Sequence, residues 1–187
     1  MPSSGPVRLR PLRREDIPIL HGWYQTPELW DHLVGEFVER PQAEATTYMA
    51  RWLEPSDREV RFAIETEGRL VGLISLALLD RKGGHGELHI FLGAPDTRGQ
   101  GLGRLATAAM VDHGFADLEL RRISLRVLVT NVAARRVYEH CGFQVTAAPP
   151  ESVVKRDGPA PVLVMEIDAE ARARMREAQG AVRSATT

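Results

Sequence analysis

The run Arg98-Gly99-Gln100-Gly101-Leu102-Gly103 carries the clearest chemistry in this chain. Three glycines in five positions let a backbone approach a ligand with no side chain in the way. The run follows an apolar, strand-like segment ending at Leu92 and opens an amphipathic pattern beginning at Leu102. A helix starting there directs unsatisfied N–H groups and the positive end of its dipole at the turn. Strand, glycine turn and helix start together predict a site for a phosphate-bearing cofactor. Spacing narrows the choice. A dinucleotide fingerprint beginning at Gly99 needs glycine where Arg104 stands. A Walker loop needs Lys and then Ser or Thr after its last glycine, and neither Gly101 nor Gly103 is followed by them.

A second patterned segment runs from Asn131 to Phe143 (Asn-Val-Ala-Ala-Arg-Arg-Val-Tyr-Glu-His-Cys-Gly-Phe). Asn131 suits a helix N-cap. Ala134, Val137, Tyr138 and Cys141 recur at helical spacing. Gly142 suits a left-handed C-terminal cap.

Together the two segments resemble the GNAT superfamily of N-acetyltransferases. Arg98, Gly101 and Gly103 meet its (Arg/Gln)-x-x-Gly-x-(Gly/Ala) loop, and Asn131, Ala134, Tyr138, Gly142 and Phe143 meet its N-x-x-(A/S)-x-x-x-Y-x-x-x-G-F signature. The resemblance implies acetyl-CoA as cofactor. It implies an α/β fold with a mixed, mostly antiparallel sheet of six or seven strands and helices on both faces. The family's fourth and fifth strands run parallel and splay apart to admit the pantetheine arm; here they are Glu87–Leu92 and Arg122–Thr130. Residues Arg98, Gly99, Gln100, Gly101, Leu102, Gly103 and Arg104 would hold the pyrophosphate. Backbone at Phe91, Leu92 and Gly93 would meet pantetheine and polarise the thioester carbonyl. Asn131, beside Ala134, would bond the pantetheine amide. Tyr138 would reach the sulfur as an acid, and Arg135 with Arg136 would meet phosphate charge or simply form a solvated helix face.

Acyl transfer to an amine sets further requirements. A protonated amine is no nucleophile, so a base or a water path must take a proton. The oxyanion needs a donor. Glu87 lies eleven residues before Arg98, matching a strand-four glutamate that serves as base in some family members. Alternation puts Glu87, His89 and Phe91 on one face of that strand. Glu87 also reads as a strand-end surface carboxylate, and His89 as a hydrogen-bonded histidine lining the site. The strand Leu125-Arg126-Val127-Leu128-Val129 holds no acid, which departs from members that place their glutamate there.

The elements that must position these residues follow from periodicity and turn chemistry. Val7 to Leu12 reads as an edge strand, Glu15 to Trp23 as a helix, and Tyr24 to Arg40 as irregular. Pro41 to Trp52 reads as a helix with Ala45, Tyr48, Met49 and Trp52 on one face. Val60–Thr66 and Leu70–Leu79 form strands joined at Glu67-Gly68. Leu102–Leu118 is helix. Gln144–Thr146 and Pro161–Ile167 are the last strands, around a Pro/Gly-rich hairpin. From Ala169 a C-terminal tail begins as a short helix, with disorder expected from Gly180. The 187 residues, 43% apolar, read as a single domain with its core over about 7–168, which the resemblance makes an acetyltransferase domain.

A net charge of −1 gives no electrostatic case for nucleic acid or an anionic membrane. The single cysteine, Cys141, excludes an internal disulfide and a cysteine-rich metal site, and no metal is expected. No apolar run reaches spanning length and the first residues lack a signal-peptide core, so a cytoplasmic protein is expected.

The resemblance implies an acceptor surface chosen by the first two helices, their loop and the late hairpin. Here it would draw on Trp23, Tyr24, Trp30, Asp31, His32, Glu36 and Glu39, with His89 beside them, although the same aromatics also read as capping the core and the same acids as solvated. Carboxylates with aromatics suit a cationic amine. Leu9-Arg10-Pro11-Leu12 with Asp16 resembles the ribosomal-protein-type N-terminal branch. The same opening with Trp23 and Asp157-Gly158-Pro159-Ala160 resembles the aminoglycoside 6′-N-acetyltransferase branch. A small or antibiotic-like amine is the favoured acceptor, with a peptide N-terminus as the alternative. A non-catalytic acyl-CoA-binding module would keep the glycine loop and need neither Glu87 nor Tyr138. Homodimerisation is compatible with such a fold.

Overall fold

Glu67 and Gly68 both take positive φ, 50° and 75°, as a two-residue turn matching strand twist requires. They fold β3 (Glu59–Thr66) back on β4 (Arg69–Asp80) in the computed structural model, which describes residues 3–4, 7–35, 37, 39, 41–80 and 82–185. The remaining strands are β1 (Ser3–Ser4), β2 (Val7–Arg10), β5 (His85–Leu92), β6 (Arg122–Leu128), β7 (Gln144–Val145), β8 (Glu151–Lys155) and β9 (Gly158–Asp168). The sheet runs β1-β2-β3-β4-β5-β6-β9-β7, with β8 also on β9. Only β5–β6 is parallel among the described pairs. Among the described residues the sheet has nine strands, where six or seven are expected from the sequence. Two of them, β1 and β7, are two-residue pieces, and β8 is an addition to the expected set.

Among the described residues six α-helices cover the two faces: α1 (Ile17–Tyr24), α2 (Pro27–Trp30), α3 (Gln42–Ala50), α4 (Leu102–Ala116), α5 (Val132–His140) and α6 (Ala169–Ala185). One face packs Met110, Ala106 and Val111 of α4 and Tyr138 of α5 against Leu76, Leu88, Ile123 and Leu125. Burying each such large side chain stabilises the fold by about 1.5–3 kcal/mol. Gly114 lets α4 come close, since a Cβ there would lie 2.8 Å from Ile123 Cδ1. On the other face Ile17, Leu20, Leu29 and Met49 pack on Ala63, Leu73 and Phe91.

Several expectations change. Val7–Arg10 is not the edge, because β1 pairs outside it. The segment expected to be irregular contains α2, a single turn opened by Pro27. On the expected face of α3, Ala45 and Met49 are buried but Tyr48 is exposed. The C-terminal segment is one helix through Ala185, past Gly180. Arg172 docks it on α4 through Asp112 at 2.8 and 3.0 Å, and Met175 packs where a Gly142 side chain would stand. Among the described residues no helix is long and apolar enough to cross a membrane.

The feature that positions the site is where β5 and β6 part. They pair only at His85↔Arg122, Gly86↔Ile123 and Glu87↔Ser124. Beyond Glu87, β5 continues along β4 to Leu92, while β6 continues along β9 to Leu128. A gap opens between them.

Candidate active site

Gly99 and Gly101 lie at φ 76° and 74°, and Gly101 N-caps α4 without any side-chain cap. Among the described residues, none of the backbone N–H groups from Gly99 through Arg104 has an acceptor. The first intrahelical bond is Leu105 N–H to Gly101 O, 3.1 Å. Nothing lies within 4 Å of a Cβ built on either glycine, so the concavity is open. Such a row of N–H groups at the mouth of a long helix could receive an anionic group such as a diphosphate. Asp96 shapes the approach: Arg69 bonds its carboxylate at 2.6 Å, and Gln100 Nε2 donates to its carbonyl at 2.8 Å. Gly101→Val would force a β-branched residue into the left-handed region. It is expected to weaken CoA binding about tenfold or more by calorimetry.

The gap itself offers backbone groups. Hydrogen-bonded and non-bonded pairs alternate along an antiparallel ladder. Gly93 N–H reaches Val71 O at 3.0 Å, so His89 and Phe91 turn their backbone groups to β4. Ile90 and Leu92 turn theirs toward the gap. Of the backbone expected to meet pantetheine, Leu92 is therefore placed to do so, whereas the Gly93 N–H is spent within the sheet. Gly93 instead makes room for Trp23, whose ring occupies the space a Cβ there would need.

The β5 alternation holds. Phe91 is buried under α1, while Glu87 and His89 stand on the same face nearer the parting point. Arg126 Nε donates to Glu87 Oε1 at 3.0 Å, His89 Nε2 lies 3.8 Å from the same oxygen, and Glu151 lies 3.7 Å from Arg126. His85 Nε2 meets Ser124 Oγ at 2.9 Å on the same face. Glu87 is thus an oriented, largely buried carboxylate at the point where the strands diverge, not a strand-end surface group.

Tyr138 sits on the opposite side of the sheet, buried, its ring edge-on to Phe143 at 6.0 Å. Burial pushes its phenol well above the usual value, so it keeps its proton at neutral pH. Asn131 caps α5 by accepting from Ala134 N–H at 3.1 Å, and its Nδ2 donates to His32 O at 3.1 Å. Arg135 turns inward to Val129 O at 3.4 Å, and Arg136 stays exposed.

The residues match a known family. The acetyltransferase (GNAT) domain family model covers residues 7–144. The chain belongs to the GNAT acetyltransferase family. It is 30% identical over 145 residues to a spermidine N(1)-acetyltransferase of Escherichia coli (strain K12), covering 78% of this chain and 76% of that one. It superposes on a spermidine N-acetyltransferase from Vibrio cholerae, solved in complex with CoA and spermine, with a TM-score of 0.81. That likeness is 25% identical over 90% of this chain and 98% of the other. A dodecameric structure of the Vibrio cholerae enzyme in an intermediate state matches with a TM-score of 0.70 at 25% identity, over 87% of this chain and 94% of that one.

This GNAT chain is an acetyl-CoA-dependent N-acetyltransferase of a small amine. The residues that could hold CoA are Gly99–Arg104, whose open N–H row would take the diphosphate, and Leu92, whose backbone would meet the pantetheine arm. The structure gathers the aromatics that were expected at the acceptor surface. Tyr24 lies edge-on to Trp30 at 5.3 Å and to Phe91 at 5.2 Å, and Trp23 to Phe91 at 6.2 Å. Asp31 lies 3.5 Å from Arg156 of the late hairpin. Glu39 is exposed, and Glu36 lies outside the described residues. Sequence reasoning missed Arg126 and Glu151. A lone arginine inside the apolar run Leu125–Val129 was the available signal for the first.

Proposed function

We propose that the acceptor is a polyamine of the spermidine class, acetylated on a primary nitrogen. The observation that carries this reading is the set of carboxylates, Glu87 and Glu151, on the sheet face where the strands part, with an aromatic wall of Tyr24, Trp30 and Phe37 beside it. A chain bearing several ammonium groups suits carboxylates and ring faces together. Relatives whose substrate is spermidine support the same reading.

Acetyl-CoA supplies the acetyl group as a thioester. Glu87 accepts the proton of the attacking amine through water, held in place by Arg126. Tyr138, still protonated, donates to the leaving thiolate. Gly99–Arg104 fix the diphosphate and so the depth of the arm. The dodecameric relative supports self-association, to be read as molar mass by light scattering.

Thiol release with DTNB across spermidine, spermine, an aminoglycoside and a peptide with a free N-terminus tests this reading, with product masses locating the acetyl group. Cys141 is buried and its thiol is pushed up to about 11, chiefly by burial, so the native protein is expected to contribute no thiol signal. Highest kcat/KM with the polyamines supports the proposal. Highest kcat/KM with the peptide or the aminoglycoside overturns it.

A further inference from the structure

Lys155 is one of two lysines in a chain otherwise supplied with arginine; Lys82 is the other. It stands at the end of β8. Register carries the Glu87 face across Ser124 to Arg126, Val162 and Glu151, and so along β8 to Lys155. Its Nζ donates to Trp30 O at 2.6 Å, Leu33 O at 2.9 Å and Gly35 O at 2.7 Å. A fourth carbonyl of the same short segment, His32 O, is taken by Asn131 at the cap of α5. An ammonium can aim three donors from one nitrogen at three carbonyls; a planar guanidinium cannot.

The gripped segment reaches from the aromatic wall, through Trp30 and Tyr24 to Phe91 on β5, to Asn131 just beyond β6. It therefore bridges the gap on the face that bears Glu87. We propose that Lys155 is a positioning residue for the acceptor. It fixes residues 30–35 over the gap, and with them Trp30 and Asp31, without touching the reacting atoms. The inference rests on the reading that the amine enters on this face.

The experiment is steady-state kinetics of the full chain with Lys155→Met and Lys155→Arg, using whichever amine of the panel is turned over best. Loss of three donors to one loop is expected to raise KM for the amine about tenfold in Lys155→Met. KM for acetyl-CoA is expected to stay within about twofold. Lys155→Arg keeps the charge but not the convergence, and is expected to fall between, about threefold up. A purely structural role would lower the melting temperature and the active fraction while leaving KM for the amine unmoved. An unmoved KM in folded Lys155→Met overturns the proposal. Should that variant fail to fold, Lys155→Arg carries the test, and an unmoved KM there overturns it. Failure of the polyamine reading is distinct: it shows as wild-type preference for another amine.

Discussion

Tyr138→Phe is expected to lower kcat about 10²-fold or more, the usual effect of losing a positioned general acid. The ring contact with Phe143 survives, and the hydroxyl has no hydrogen-bond partner among the described residues, so folding and CoA affinity are expected to hold. Glu87→Gln is expected to lower kcat/KM for the amine about 10²-fold by the same reasoning applied to the base. The two variants separate by pH. Below the amine's own pKa the fraction of free amine rises about tenfold per pH unit, so the Glu87→Gln deficit shrinks as pH rises. The Tyr138→Phe deficit does not, because the leaving thiolate still lacks its proton. Retention of wild-type turnover by either variant at saturating acetyl-CoA would remove that residue from the mechanism.

What could be read from the sequence was local. Gly99–Gly103 and Asn131–Phe143 are contiguous, and their caps, turns and periodicity are decided within a few residues. The structure accordingly finds the N–H row, the α5 cap and the parting strands where they were expected. The proposed acceptor side is assembled from distant parts. Asn131 bonds a carbonyl 99 positions away, and Lys155 reaches Trp30 over 125. Nothing in the run Val153-Val154-Lys155-Arg156 announces three carbonyls as its partners. Only the scarcity of lysine hints that an ammonium is needed there.

Two other differences have similar causes. The single turn of α2 is too short to display a periodicity. Gly180 lowers helix propensity by about 1 kcal/mol relative to alanine, yet α6 is anchored upstream by the nearly buried Arg172 on Asp112. Tertiary contact overrides local preference there. The Gly93 N–H is the converse case. A motif suggested a ligand, but strand register spends the donor on Val71.

The largest stability effect is expected at Arg10, in the opening Leu9-Arg10-Pro11-Leu12. Arg10 and Asp16 are buried, at 4% and 2% exposure, and meet through two bonds of 2.7 and 2.8 Å. Arg10 Nε also donates to Glu65 at 2.5 Å, and Asp16 accepts the Arg13 N–H at 2.7 Å. Burial alone would raise the Asp16 carboxyl, but the Arg10 and Arg13 bonds outweigh it and hold the carboxyl below its ordinary 3.8. Because the folded state then binds its proton less readily than the unfolded chain, this contribution is complete above the ordinary carboxylate range. It is lost as pH falls through the lower, folded value. Arg10→Met leaves the buried Asp16 carboxylate without its guanidinium and the partly buried Glu65 with only Arg8, 3.9 Å away. It is expected to cost about 3–5 kcal/mol, seen as a melting point lower by about 10 °C or more. The damage should reach function before global unfolding. Asp16 directly precedes α1, and α1 carries Trp23 and Tyr24 to Phe91 at the end of β5. KM for the amine is therefore expected to rise at temperatures where acetyl-CoA binding on the opposite side of the sheet is still intact. Equal loss of both affinities would show that the pair supports the whole fold rather than the acceptor wall.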